Sequence, residues 1–354
     1  MGILFKQVQD FPVLVRCFTY NHSKYIEDAL YGFVSQKTSF PFVCLIIDDA
    51  STDGEQEIIN RFLERECDME KSESKQTNDA FVICAPHKHN KNCTMIVYFL
   101  EENHYSIKKS KLSYIQPWRD RCKYEALCEG DDYWTDNEKL QKQFEVLEAN
   151  PDVMMVYTSF DTVNAERVPV SVERYDACHD FSCSGNIFPR LLWKNFVLTL
   201  TTCFRKEIYE SSLFVEAPAR LDYLLFLTAT LEGDTAYIAE VTGKYRITST
   251  GAIASVHSQV DKKIKILFQY FILLYCEKKI PRRFCVKDRM IVDISILVLN
   301  MTDWAFLKKV FKKRKGLILL VPLAMMIKLA KTLGDRYVPG YTPFKFYKLV
   351  FGNN

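Results

Sequence analysis

Apolar positions set the rhythm of the first half of the chain. The run VLVRCF at 13–18 is short and β-rich, and after TYNHS the residues Ile26, Ala29, Leu30, Phe33 and Val34 recur with a period of 3.6. PFVCLII at 41–47 is continuously apolar, as suits a strand buried on both faces of a parallel sheet. The pattern predicts strand, helix, strand, with Ser23 placed to cap the helix. A second helix follows from Ile58, Ile59, Phe62 and Leu63, its start capped by the Ser, Thr and Asp of DDASTDG. Residues 66–80 are polar and of mixed charge, which predicts an exposed insertion. The strand-like runs FVICA and MIVYFL come after it and are suited to pair as a hairpin.

The rhythm resumes at YEALC (124–128), which runs into the acidic turn EGDDYWTD. A helix follows with Leu140, Phe144 and Leu147 spaced i, i+4, i+7, then a stop at Asn150-Pro151 and strand-like VMMVY at 153–157. This order puts Asp131 and Asp132 at the carboxyl end of a strand, where open α/β sheets bind their ligands. Past about residue 256 the pattern turns helical and basic, through FQYFILLY, MIVDISILVL and FKKRKGLILLVPLAMMIKLAKTL. No internal repeat or low-complexity tract is visible. The expectation is an α/β domain over 1–256, with an insertion at about 66–107, and a basic helical C-terminal region over 257–354.

Composition narrows the class. With 354 residues, 48% hydrophobic and 26% charged, the chain is neither disordered nor fibrous. Its length suits about two domains, or one large domain with an extension. A net charge of +3 hides an asymmetry: from Asp261 onward 20 Lys/Arg stand against 6 Asp/Glu, a net of +14, which leaves −11 for residues 1–260. The local excess points to an anionic surface near the C-terminus. The twelve cysteines form no CxxC pair and no signal-peptide pattern precedes them, so free thiols in a reducing cytoplasm are expected. The apolar stretch Gly316–Ile327 contains Pro322 and is far shorter than the roughly 20 residues that span a bilayer.

Three acidic clusters carry the candidate chemistry: Asp48-Asp49 after one strand, Glu129 with Asp131 and Asp132 after another, and Asp222 in ARLDYLLFL. Carboxylates beside apolar runs are costly to desolvate unless cations or donors meet them, which suits a divalent metal or a nucleotide. Each cluster taken alone also has a bland reading: a helix N-cap for Asp48-Asp49, a turn for Asp131-Asp132, a structural acid for Asp222.

Three segments resemble a known family. FTYNHSKYIEDAL, IIDDASTDGEQEII and ALCEGDDYWTDNEKLQKQFEVLEANPDV are similar to the three N-terminal signatures of family 2 glycosyltransferases. These have the GT-A fold, a Rossmann-like α/β/α sandwich around a mostly parallel sheet, to which this chain would add a C-terminal helical extension. ARLDYLLFLTATLEGDTAYIAEVTGKYRIT resembles the part of that family carrying the catalytic base. The similarity runs from residue 11 to about 250, with a gap over roughly 66–107. It implies an inverting transferase of bacterial surface-polysaccharide type, using a nucleotide sugar, with uracil as the suited base. Phe18 and Tyr20 would lie at the nucleotide, Asp49 would accept from the base, Asp131 would meet ribose and metal, and Asp132 would hold Mn²⁺ or Mg²⁺. Asp222 matches the general base, with Glu129, Arg246 and Trp134 as candidates for diphosphate or acceptor contacts. The chain departs from the pattern where LDY surrounds Asp222, and where Tyr245-Arg246-Ile247-Thr248 replaces a YRxH segment whose His approaches the metal. Thr248, water or His257 could substitute, or the metal could have fewer protein ligands.

Other residues keep two readings. Arg246 suits a diphosphate or a surface ion pair, and Lys109 and Lys111 suit phosphates or a solvated loop. Cys84, His87, His89 and Cys93 are zinc-ligand types, but their spacing favours a polar loop between strands. Lys308, Lys309, Lys312, Lys313, Arg314 and Lys315 beside LILLVPLAMMI suit either an anionic membrane surface or a helical subdomain packed on the catalytic domain. Nucleic acid is not an expected partner, because the basic residues lack interleaved aromatics. The acceptor implied is a glycan or lipid-linked glycan. The rivals are a nucleotidyltransferase, which would carry a Gly-rich phosphate loop absent from FTYNHSKY, and a binding module that has lost turnover.

Overall fold

The computed structural model describes residues 8, 10–248, 252–280 and 284–337. Among these residues ten strands make one sheet: β1 (Val13–Thr19), β2 (Phe42–Asp48), β3 (Glu73–Gln76), β4 (Ala80–Pro86), β5 (Cys93–Leu100), β6 (Tyr124–Leu127), β7 (Tyr133–Trp134), β8 (Val153–Val163), β9 (Thr202–Arg205) and β10 (Asp234–Arg246). Their order across the sheet is 3-4-5-2-1-6-9-8-10-7. The expected parallel sheet is its centre, β5-β2-β1-β6, where Val13 stands beside both Phe42 and Tyr124. Antiparallel strands flank it. β4 and β5 form the expected hairpin, and the stretch read as an exposed insertion supplies the edge strand β3. On the other side β9 lies antiparallel between β6 and β8.

Alternation along the strands divides the core into two layers. Phe42, Cys44 and Ile46 of β2 face helices Ile26–Val34, Glu55–Glu66 and Lys139–Ala149, while Val43, Leu45 and Ile47 share the other layer with Tyr114, Ile115 and Trp118 of helix Leu112–Arg119. Helices on both faces make three layers, the α/β class that hydrophobic faces on sheet and helices require.

Of the helix caps read from the sequence, Asp53 does accept the amide of Glu55, the first residue of the second helix, at 3.2 Å, whereas Ser23 does not cap the first. Tyr25, not Ser23, precedes the first helix and gives no side-chain cap; the Ser23 side chain hydrogen-bonds Asp53, whose Oδ2 also accepts the Ser23 amide at 3.0 Å. The second helix begins after Gly54, whose φ of 90° is the left-handed conformation glycine adopts without steric cost.

The chain divides into two compact units: Met1–Val170 with Leu198–Glu207 and Ala236–Thr248, and Ser171–Val197 with Ile208–Thr235 and Ser249–Asn354. The first holds the sheet. The second is mostly helical and joins residues 171–197 and 208–235, expected in the α/β domain, to the C-terminal region; within it Trp193 Nε1 donates to Ser295 Oγ at 2.7 Å and Arg314 pairs with Asp293 at 2.5 Å. Residues 338–354 of the expected basic region lie outside the described residues. The twelve cysteines are free thiols, most of them buried.

Candidate active site

Because β2, β1 and β6 are adjacent and parallel, their carboxyl ends open onto one rim. The loops that leave it are tied to one another. The Asp49 amide donates to Thr19 O and the Gly130 amide to Phe18 O, each at 3.0 Å. Asn21 Oδ1 accepts from the Thr52 amide at 2.8 Å, and the Asn21 amide donates to Ser51 Oγ at 2.9 Å. Glu55, fully buried, accepts from the Thr19 hydroxyl, from the His22 amide at 2.7 Å and from the Ser51 hydroxyl at 2.9 Å. Gly130 is required by contact: a Cβ there would collide with the Thr19 side chain and crowd His22 Nδ1. Ala50 sits at φ 61°, a conformation that costs a residue with a Cβ about 1–3 kcal/mol and marks the turn beside Asp49 as held by its surroundings.

Asp49 is buried and well supplied with donors. Its carboxylate accepts the amides of His104 at 2.8 Å and Tyr105 at 3.1 Å and the Lys111 ammonium at 2.8 Å. Lys111 is therefore no solvated-loop residue; its Nζ also stands 5.5 Å from the centre of the Phe18 ring, whose face Arg16 approaches to 4.4 Å. Lys109 pairs with Asp79 at 2.8 Å. Tyr20, two residues after Phe18, is 42% exposed. Asp48, just before, points into the protein, where burial pushes its pKa up to about 6 although Ser51 and Gln56 donate to it.

The loop after β6 is arranged differently. Asp132 is buried, and the only backbone donor at its carboxylate among the described residues is the Arg246 amide at 2.8 Å. Burial first, then the Asp131 charge, raises its pKa well above the usual carboxylate range, with Glu129 adding to the effect. Asp131 keeps a quarter of its side chain exposed, 3.8 Å from His22 Nε2. Half-buried Glu129 accepts the Asp132 amide on its carbonyl at 3.2 Å. The same acids act below the rim, where burial first and then Glu129, Glu55 and Asp131 drive the Cys17 thiol pKa up.

Two candidates serve the frame of the site. Arg246 is not in a surface ion pair: its side chain is buried, donating to Asp28 Oδ2 at 2.7 Å and to Asp131 O at 2.8 Å, against the rings of Tyr25 and Tyr133. Trp134 packs edge-on to Phe33, gives its indole N–H to Leu200 O at 2.8 Å and has Lys139 Nζ over its ring at 4.3 Å. Asp222 belongs to the second unit, where it is exposed as the first residue of helix Asp222–Glu232. Its neighbour Tyr223 is buried, donates to Leu191 O at 2.6 Å and helps line a hollow of about 500 Å³ with Lys194, Phe268 and Asp303. The position of His257 lies on helix Ala252–Cys276, and its side chain is outside the described residues.

A concavity of about 690 Å³ lies at the opposite end of the sheet, lined by Ser35, Lys37, Thr38, His87, His89 and Gln141, so size alone does not mark the site. The zinc reading fails nearby. Cys84 and Cys93 pack into opposite core layers, His87 Nδ1 accepts the amides of His89 and Asn90, and among the described residues no three His, Cys, Asp or Glu side chains are gathered for one ion. The rim acids do not make a closed cage either. They fit Mg²⁺ or Mn²⁺ in the open mode, in which one or two carboxylates hold the ion and substrate phosphates and water complete its shell. Asp132, buried among like charges, is the observation that favours a cation there.

Sequence reading passed over Thr19, His22, Asp28 and Glu55. The first two lie in the quoted TYNHS turn, but their partners are far away in sequence: Thr19 with Glu55, His22 with Asp131, Asp28 with Arg246.

No family model matches the chain. It is 28% identical over 258 residues to uncharacterized proteins of Mycobacterium tuberculosis (strain H37Rv) and Mycobacterium bovis. The match covers 69% of this chain and 61% of those relatives, so the chain spans about six-tenths of their length. Among solved structures, Staphylococcus aureus TarS 1–349 in complex with UDP-GlcNAc is 16% identical with a TM-score of 0.49, over 92% of this chain and 80% of that one. The mannosyltransferase PcManGT from Pyrobaculum calidifontis, in complex with GDP-Man and Mn²⁺, is 14% identical with a TM-score of 0.47, over 97% and 84%. Likenesses this distant assign no function to this chain.

Proposed function

We propose that this chain is an inverting, metal-dependent glycosyltransferase that moves a sugar from a nucleoside-diphosphate donor, with UDP as the suited nucleotide, to a hydroxyl of a glycan or lipid-linked glycan on the cytoplasmic side of the membrane. The observation that carries the reading is the gathering of Asp49, Asp131 and Asp132 on one rim of the sheet, in the loops that resemble the family 2 signatures. Phe18 and Tyr20 border the base. A carboxylate offers about four acceptor positions, and Asp49 uses three, which leaves one for an imide N–H. Lys111, fixed by Asp49, adds positive charge on the nucleotide side.

Asp132, with Asp131, would hold the ion. Bound there, Mn²⁺ or Mg²⁺ stabilises the charge that develops on the departing diphosphate more than it stabilises the ground state. Asp222 would take the proton from the acceptor hydroxyl as the new bond forms, and one attack from the face opposite the leaving group inverts the anomeric carbon. Arg246 and the Asp28 carboxylate keep the Asp131 backbone in place.

A screen of sugar nucleotides for thermal stabilisation, with and without Mn²⁺, tests the reading, since a ligand of the folded state shifts unfolding by mass action and needs no acceptor. At least one donor should raise the melting temperature only with the metal; none doing so counts against the proposal. For the base, Asp222→Asn should keep donor binding and lower turnover by about 10²-fold or more. Undiminished turnover would reject that role.

A further inference from the structure

The C-terminal helices turn apolar side chains outward. Within the second unit, helix Trp304–Lys313, a 3-10 turn Lys315–Leu320 and helix Val321–Tyr337 follow one another. On the last helix Ala324 and Ile327 are buried, while Leu323, Met325, Met326 and Leu329 are exposed. At 100° per residue these four positions fall within one arc of roughly 160°, so they form a single face. Exposure reaches 61% for Leu329, 70% for Met326 and 80% for Leu319 in the turn before it, with Trp304 at 57%. Soluble surfaces scatter such residues singly; a contiguous set marks a surface that something apolar covers.

Charge decides what covers it. From Trp304 to Gly334 the sequence holds eight Lys or Arg and no Asp or Glu. Lys313 and Arg314 are engaged inside the unit, with Glu277 and Asp293, but Lys308, Lys309, Lys312 and Lys315 are exposed. A second protein surface would have to be both apolar and strongly acidic to match. An anionic bilayer offers both properties in one surface, acyl chains below a negative headgroup layer. Among the described residues no helix is long and apolar enough to cross a membrane, so the segment would lie on the bilayer and not through it.

We infer that the turn 315–320 and the outer face of helix Val321–Tyr337 form a membrane-docking wedge, with Leu319, Met326 and Leu329 entering the acyl boundary and Lys308, Lys309, Lys312 and Lys315 resting on anionic headgroups. This goes beyond the proposed catalysis and does not depend on it. It would place the enzyme where lipid-linked glycans are found.

Flotation of the full chain with phosphatidylcholine vesicles, with and without phosphatidylglycerol, tests the inference. The protein should float with the anionic vesicles, and release should follow as salt is raised. Leu319→Glu with Met326→Glu, both exposed positions where folding is spared, should lower partition at least tenfold. Gln in place of Lys308, Lys309 and Lys312 should lower it about a hundredfold, at about 1 kcal/mol for each cation near such a surface. Circular dichroism and donor-dependent thermal shift check that the variants are folded. No flotation with anionic vesicles, or flotation unchanged in the Glu variant, overturns the inference. So does concentration-dependent self-association that the Glu substitutions abolish while vesicles remain unbound, which would assign the face to a second copy.

Discussion

The loops after β2 and β6 each carry a buried aspartate onto the same rim and surround it in opposite ways. Asp49 receives two amides and an ammonium. Asp132 receives the Arg246 amide, and its carboxylate feels the charges of Asp131 and Glu129. Buried carboxylates are stable when donors or cations meet them, and costly otherwise. The first loop is electrostatically complete as it folds. The second accepts a local cost, and folds depart from local consistency most often at sites of function. On the proposed reading, a cation would belong at Asp132 and not at Asp49.

The largest expected effect follows from that side. Asp132→Asn should lower turnover by about 10²–10³-fold, the scale for loss of an electrostatic stabiliser in the transition state. The same substitution should raise the urea midpoint of the metal-free protein at pH 7, because it removes a carboxyl whose ionisation its buried, acidic surroundings oppose. A variant that loses activity and stability together would mean that Asp132 is a structural acid.

Asp48 stands between the two cases. Its pKa is raised from 3.8 to about 6, chiefly by burial. As pH climbs through that window the unfolded chain loses the proton first, so this group's contribution to stability is full below about pH 4, falls by about 3 kcal/mol toward pH 6, and stays flat above. Urea unfolding at pH 4 and pH 7 should show the loss in the wild type relative to Asp48→Asn. Equal pH dependence in both proteins would remove Asp48 as the cause.

The smallest effect belongs to the complete loop. Asp49→Asn leaves Lys111 and one amide without their acceptor, so it should destabilise by about 1–3 kcal/mol in the same unfolding measurement. Its sign is opposite to that of Asp132→Asn without metal. Equal signs for the two would break the contrast between the loops.

Much of this was legible in the residues. The alternating faces of β1 and β2, the 3.6-residue period of the following helices and the DD pairs at strand ends all follow from local pattern. What escaped is long-range pairing. Ser23 has the chemistry of a cap, yet its side chain is engaged by Asp53, 30 positions on. Nothing near Trp134 and Arg246 in the sequence announces Leu200 and Asp28, the distant partners that accept from them. Lys111 looks like a loop lysine because Asp49 lies 62 positions away. The four-residue β9 has no pattern long enough to announce a strand, and its antiparallel place between β6 and β8 is set by partners on both sides.

The most direct test of the cation at the second loop is calorimetric titration of UDP into the full chain with and without Mn²⁺. Binding that appears only with the metal, and disappears in Asp132→Asn, is the predicted result. Equal affinity under both conditions, or no nucleotide binding under either, would contradict the account.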